Sequence, residues 1–296
     1  MRPGNARWRY QAYLLVVIAA TLWGGIAVFV KQLKEFGFDP LQIVAIRSSS
    51  SAFLLLLGAL VYDRSQLLIR WQDGKYFIGT GIVSIVFFNW CYFTSMAAAS
   101  VSVAAILLYT APAFVLLLSR VFFKEALTLT KLMALVLTFT GCGLVTGFLP
   151  TLQGRISFYG LLTGLGAGVG YALYSIFGKF ALRKYSPLTV TIYTFAFATL
   201  ALLPVSGLWE RREFFLSAQL VAWSLAFGFF PTVLSFLCYT AALSRIEPGQ
   251  ASIIATLEPI VAVIIGVVVF GEILDVWQIG GIVLVVVAVL MVQRTK

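Results

Sequence analysis

The sequence contains no histidine. A histidine-built metal centre and a histidine proton relay are therefore excluded. Charge is almost as scarce: Asp, Glu, Lys and Arg make up 11% of the 296 residues, against about 25% in an average soluble domain. The three cysteines, Cys91, Cys142 and Cys238, fall in apolar runs without a CxxC pair. They form no disulfide framework and read as small packing residues. No GxxxxGK[ST] phosphate loop occurs, which removes the commonest ATP-binding device. The net charge of +10 is spread over short loops rather than clustered with aromatics, so nucleic acid is not an expected partner.

Apolar residues are what the chain has in excess, at 61% against roughly 45–50% in soluble proteins. They are gathered in runs that approach or exceed the roughly 20 residues needed to cross a bilayer as a helix. Runs such as "SIIATLEPIVAVIIGVVVF" show no apolar/polar alternation, so barrel strands are excluded. Ten spans are predicted: 11–32, 41–62, 76–97, 102–123, 129–149, 157–181, 187–208, 218–243, 249–270 and 276–293. The expected fold is an all-α polytopic membrane protein with short connections such as "GFDP" (37–40) and "EPG" (247–249).

Basic residues divide unevenly between the two sets of loops. Arg2, Arg7, Arg9, Arg64, Arg70, Lys75, Arg120, Lys124, Lys131, Lys179, Arg183, Lys184, Arg245, Arg294 and Lys296 belong to one side. Lys31, Lys34, Arg155, Arg211 and Arg212 belong to the other. The positive-inside rule then makes both termini cytoplasmic in a plasma (inner) membrane. Residues 210–213 ("ERRE"), Lys179 and Lys184 are expected to face water or lipid headgroups.

The chain also repeats itself. In one gapless register Pro40 meets Pro187, Cys91–Tyr92 meets Cys238–Tyr239, Pro112 meets Pro259, and Glu125 meets Glu272. Two units follow, 1–149 and 150–296, of five spans each. An odd number of spans makes the second unit enter the membrane from the opposite side. Such inverted repeats characterise secondary transporters, which bind substrate near the midplane where the halves meet. The first span has a counterpart later in the chain, so it reads as a retained span rather than a cleaved signal peptide.

The "WGG" of span 1 (23–25), the "LEP" (257–259) followed by "FGE" (270–272), and the five-plus-five duplication resemble the drug/metabolite transporter superfamily, specifically its EamA-type members. The resemblance covers nearly the whole chain. It implies alternating access around a central cavity lined mainly by spans 1, 3, 4, 6, 8 and 9, gradient energy, and no cofactor. Its small-molecule cargoes include amino acids, nucleotide sugars and choline-like cations. Membrane lipid is the other partner, with coupled protons a further candidate.

Glu258 is the acid that stands out, in mid-span beside Pro259. An ionisable side chain at that depth costs about 2.5–3.5 kcal/mol on insertion scales. Pro259 also deletes a backbone hydrogen bond. Glu258 could bind a substrate amine, carry a coupling proton or hold Arg47. Its counterpart in the first unit is Ala111, and that asymmetry suits a site residue. Arg47 is expected to be structural or snorkelling, in a span that the resemblance puts outside the cavity. Asn89 either bonds another helix or faces the cavity. Trp23, Tyr109, Tyr171, Tyr174 and Tyr239 fall in cavity-lining spans and are candidate substrate contacts. Pro112 and Pro259 mark bends; Glu125 and Glu272 read as interfacial caps or gate-side charges at span ends, structural first. The glycines of "GLLTGLGAGVG" (160–170) read as close-packing faces.

These features favour a gradient-driven transporter of a small metabolite, an amino-acid-type exporter first. Uptake of a choline-like quaternary amine is the alternative within that class. A non-transporting scaffold and an intramembrane enzyme are the other classes considered. The second is poorly served by a chain with no histidine and one clear mid-span acid.

Overall fold

The computed structural model describes residues 6–149, 157–211 and 217–294. Arg2, Arg155, Arg212, Glu213 and Lys296, used above for orientation and loops, lie outside the described residues, as does Pro150 at the expected repeat boundary. Among the described residues nine helices are long and apolar enough to cross a membrane, and Leu129–Val145 adds a shorter tenth.

In chain order, α1 (Ala6–Gly24) and α2 (Ile26–Glu35) form span 1, and α3 (Pro40–Tyr62) forms span 2. Span 3 comprises α4 (Gly74–Ile78), a π-helical segment (Gly79–Val86) and α5 (Phe87–Ala98). Span 4 is α6 (Val101–Leu108) and α7 (Ala111–Phe123); span 5 is α8 (Leu129–Val145). The second half follows as α9 (Phe158–Ala181), α10 (Pro187–Leu202), and α11 (Ala218–Gly228), which runs through a second π segment (Phe229–Leu234) into α12 (Ser235–Leu243). It ends with α13 (Pro248–Ala255), α14 (Glu258–Phe270) and α15 (Val276–Arg294). Span 5 stops short of the expected residue 149 because the chain turns at Gly147, whose φ of 71° ends the helix.

The helix starts are chemically marked. Asp39, Ser100, Thr128, Ser157, Ser186 and Ser217 each accept the N–H of the residue three positions on. These side chains satisfy donors that the first turn leaves free. Asp39 and Gln42 complete a reciprocal capping box.

The duplication is visible in helix boundaries. The α6–α7 pair recurs as α13–α14 with the same interruption, a shift of 147 residues (101 to 248, 111 to 258). Each pair ends at a left-handed residue, Lys124 (φ 56°) and Gly271 (φ 71°). The π segments recur in spans 3 and 8.

Outward-facing positions are apolar, including Val121, Val136, Leu200 and Val268, whereas Ser48, Ser51, Thr80, Ser84, Ser95 and Thr232 are buried. Between helices in lipid, small residues and hydroxyl bonds replace the hydrophobic drive available in water. Ser51, Ser84 and Ser95 accordingly donate across helices to the carbonyls of Gly228 (3.1 Å), Gly170 (2.8 Å) and Gly160 (2.9 Å). The glycines of α9 bring it close to α5 and span 4. A methyl on Gly168 would stand 3.1 Å from the Leu107 carbonyl oxygen, and one on Gly170 3.0 Å from the Phe88 Cα. Spans 5 and 10 touch backbone to backbone, since a methyl on Gly281 would lie 2.6 Å from the Gly141 carbonyl oxygen.

At one end of the bundle a buried ion cluster joins the repeats. Lys131 Nζ lies 2.8 Å from Glu125 Oε1 and 2.7 Å from Glu247 Oε2, and Glu125 Oε2 accepts the Gly249 N–H at 3.4 Å. Burial raises the Glu125 carboxyl above the ordinary carboxylate range, against the opposing pull of Lys131. Glu125 is thus held in place by Lys131 and the Gly249 N–H. Its counterpart Glu272 is exposed, its oxygens packed back over Gly266. Lys179 differs from expectation: its Nζ donates to the carbonyls of Leu243 (2.6 Å) and Ile246 (2.9 Å), turned inward to cap the end of α12. Lys184 is half-exposed and paired with Asp73 at 2.6 Å.

Candidate functional site

Two helix interruptions meet at the centre of the molecule. Span 1 breaks between α1 and α2 at Gly25. Span 9 breaks between α13 and α14, where Thr256 and Leu257 turn tightly onto the carbonyls of Ile253 and Ile254. Pro259, in the first turn of α14, requires no N–H partner there. The "WGG" motif explains how the breaks fit together. A methyl on Gly24 would fall 2.6 Å from Val261 Cβ and 2.9 Å from the Glu258 carbonyl oxygen, so only glycine lets α1 rest on the start of α14. Trp23 is thereby directed inward and Glu258 heads a half-helix whose dipole favours an anion.

A chamber of about 70 Å³ lies between the repeats. Trp23, Asn89, Tyr171, Tyr174, Tyr239 and Glu258 all line it. Six of the seven side chains proposed from sequence as substrate contacts therefore converge. The seventh, Tyr109, lines a smaller void of about 10 Å³ together with Pro112, Tyr171 and Glu258. Glu258 stands between the two spaces.

The walls are aromatic. Trp23 packs at 5.2 Å on Phe236, 5.3 Å on Tyr239 and 6.3 Å on Tyr171, and Tyr174 meets Phe236 edge-on at 5.0 Å. Two hydroxyl pairs fasten α9 to α12: Tyr174 Oη to Thr240 Oγ1 at 2.6 Å, and Ser175 Oγ to Tyr239 Oη at 2.7 Å. The Trp23 Nε1 is buried without a hydrogen-bond partner among the described residues, as is the Ser48 hydroxyl. Asn89 faces the chamber while its Nδ2 donates to the Ile85 carbonyl within its own helix at 2.7 Å. Of the two alternatives left by the sequence, the amide takes the cavity-facing one, and its hydrogen bond stays within its own span.

Arg47 lies elsewhere than expected. It lines the chamber with Val44 and Ser48 of α3, and Phe195 of α10 joins them, so spans 2 and 7 contribute as well. Its Nε donates to Thr232 Oγ1 at 2.9 Å and its Nη2 to the Pro231 carbonyl at 3.3 Å. The rings of Phe227 and Phe236 flank the guanidinium at 5.7 and 5.8 Å. Pro231 interrupts span 8 and Thr232 donates to the Phe227 carbonyl at 3.0 Å, so the π segment organises this anchor. Among the described residues neither Arg47 nor Glu258 forms an ion pair.

The sequence profile of the EamA-like transporter family matches residues 11–147 and again 158–294. The chain belongs to the EamA-like transporter family. Similar proteins include an uncharacterized transporter of Archaeoglobus fulgidus, 28% identical over 94% of this chain and 95% of that protein. The uncharacterized transporter YyaM of Bacillus subtilis is 26% identical over 86% and 84%. A solved crystal structure superimposes with a TM-score of 0.79 at 18% identity, covering 95% of both chains, which supports the fold alone. This EamA-like protein is therefore an integral membrane transporter of two five-helix repeats, and its chamber sits where those repeats meet. Glu258 was visible as a mid-span acid, and the aromatics by the spans the resemblance places around the cavity. Arg47 was visible as a mid-span cation, but only the π segment that receives it reveals its inward course.

Proposed function

We propose that the protein is a gradient-driven, alternating-access exporter of a small amine-bearing metabolite, with amino acids first among the candidates. The amino group binds the Glu258 carboxylate and the apolar part lies against Trp23, Tyr171, Tyr174 and Tyr239. One observation carries this reading. Glu258 heads the broken helix α14 and faces an aromatic chamber enclosed by both repeats, with no hydrogen bond to its side chain among the described residues. Such a group within a membrane calls for a cation, a proton or water. Tyr and Trp faces add attraction for an ammonium group.

The chamber is far smaller than the roughly 300–1,000 Å³ of typical ligand sites, so the structure corresponds to a closed conformation. The breaks beside Pro112 and Pro259 supply bends at which it opens. Two similar halves of opposite orientation give inward- and outward-open states of comparable energy. The same carboxylate serves coupling if it holds a proton when substrate is absent. The loop charges support cytoplasmic termini in the plasma (inner) membrane, and the register supports division into units 1–149 and 150–296. A choline-like substrate is less favoured because Arg47 places a repelling charge in the same chamber.

The test is flux of labelled amino acids through proteoliposomes under an imposed proton gradient. Wild-type protein should transport with a dependence on pH, and Glu258→Gln, which keeps the side-chain shape, should abolish it. Undiminished flux through a folded Glu258→Gln protein removes Glu258 from the site.

A further inference from the structure

Arg47 poses a problem that the proposed amine site does not solve. A guanidinium carries five N–H donors. Thr232 and Pro231 engage Nε and Nη2, while Nη1 has no hydrogen-bond acceptor among the described residues. Among the described residues no carboxylate lies within ion-pair distance of Arg47, although Glu258 lines the same chamber. A structural pair offsets the cost of burying both charges best when they are in contact, and Arg47 and Glu258 are not.

The internal repeat supplies a control. The residue in register with Arg47 is Thr194, on α10, and it donates to Thr80 of the first π segment at 2.6 Å. This is the equivalent junction, span 7 to span 3 rather than span 2 to span 8, and it is held by two hydroxyl groups. Joining these helices does not require a cation. Each repeat thus contributes one charge that its partner lacks, Arg47 against Thr194 and Glu258 against Ala111, and the two face one space.

We infer that Arg47 is the carboxylate-recognising pole of the chamber, so that the cargo is a zwitterion with its carboxylate on Arg47 and its amine on Glu258. This rests on the amine reading of Glu258 and adds a specificity-determining residue to it. Thr232 and Pro231 aim the guanidinium, leaving an N–H edge to receive a carboxylate oxygen. Arginine's fixed donor plane suits a carboxylate better than a lysine does. A zwitterion neutralises both poles at once. A simple amine satisfies Glu258 and leaves Arg47 to repel it.

The experiment measures apparent affinities of the purified full-length protein by ligand-induced thermal stabilisation. The probes are the common L-amino acids, the carboxamide of each, and the corresponding decarboxylated amines. Wild-type protein should bind at least one amino acid about 10- to 100-fold more tightly than its amide or amine, the range expected for a hydrogen bond between charged groups. Arg47→Gln should erase that preference while the amine binds at least as well as before. Arg47→Lys, which keeps the charge and loses the fork, should fall between. Amino acid and amide binding equally to wild type overturns the inference without using any variant, as does a preference that survives Arg47→Gln. In both cases the Glu258 reading stands. If no amine-bearing probe stabilises wild type, the Glu258 reading fails and this inference with it.

Discussion

Replacing Lys131 by methionine removes the only cation among the described residues in contact with the buried Glu125 carboxylate, whose side chain is 2% exposed. The loss is bounded by chemistry. A carboxylate left without its partner escapes by taking up a proton, and protonating a carboxyl of ordinary pKa 4.5 at pH 7 costs about 3.4 kcal/mol. That bound lies within the roughly 3–5 kcal/mol seen when one partner of a buried pair is removed. Glu247 is half-exposed and adds less than about 1 kcal/mol. Lys131→Met should therefore lose about 3 kcal/mol at pH 7, roughly 6–12 °C in melting temperature. The sign of the pH dependence follows from the same reasoning. In the variant the folded-state pKa of Glu125 is raised, so the penalty is present above the unfolded value and grows with pH. At pH 5 protonation costs only about 0.7 kcal/mol, and most of the defect should disappear. Adding Glu125→Gln removes the titrating group, and the double variant should show a deficit that does not vary between pH 5 and 7. Melting curves of the three proteins in one detergent at the two pH values decide the matter. A Lys131→Met defect of equal size at both, or none at pH 7, refutes the assignment of Lys131 as the counter-charge of a buried Glu125.

Other substitutions test the geometry of the chamber. Gly24→Ala should cost about 1–3 kcal/mol, because its methyl meets Val261 and the Glu258 carbonyl, whereas Gly25→Ala, with its nearest neighbour at 3.4 Å, should melt close to wild type. Trp23→Ala should lower the melting temperature by the equivalent of about 3–5 kcal/mol, and Trp23→Phe, which keeps a ring against Phe236 and Tyr239, by much less. Ser175→Ala and Tyr239→Phe should each cost about 1 kcal/mol, and the double variant less than their sum, since both break one hydroxyl pair.

The spans were legible because ten apolar runs between marked turns leave little choice, and each Ser, Thr or Asp cap sits where a turn was expected. The breaks at residues 109–110 and 256–257 were foreshadowed by Pro112 and Pro259, which fix where each half-helix starts. Lys179 was misread, and the inward course of Arg47 was not visible, for a common reason. Composition treats a long basic side chain as seeking water, but carbonyls at the end of α12 and within the π segment offer inward partners. Those carbonyls are products of backbone geometry, which no single residue announces. The Glu125–Lys131–Glu247 cluster was missed likewise, because Glu247 lies 116 residues from the Lys131 it meets.

Ser48 provides the most direct test of a chamber that opens to both sides of the membrane. It lines the space, and its hydroxyl makes no hydrogen bond among the described residues, so Ser48→Cys loses none of those. In a background with Cys91, Cys142 and Cys238 replaced, this thiol should react with a membrane-impermeant maleimide added from either side of oriented vesicles, and a transported amino acid should slow both reactions. A thiol reached from one side only, or labelled at rates that no amino acid changes, contradicts alternating access around this site.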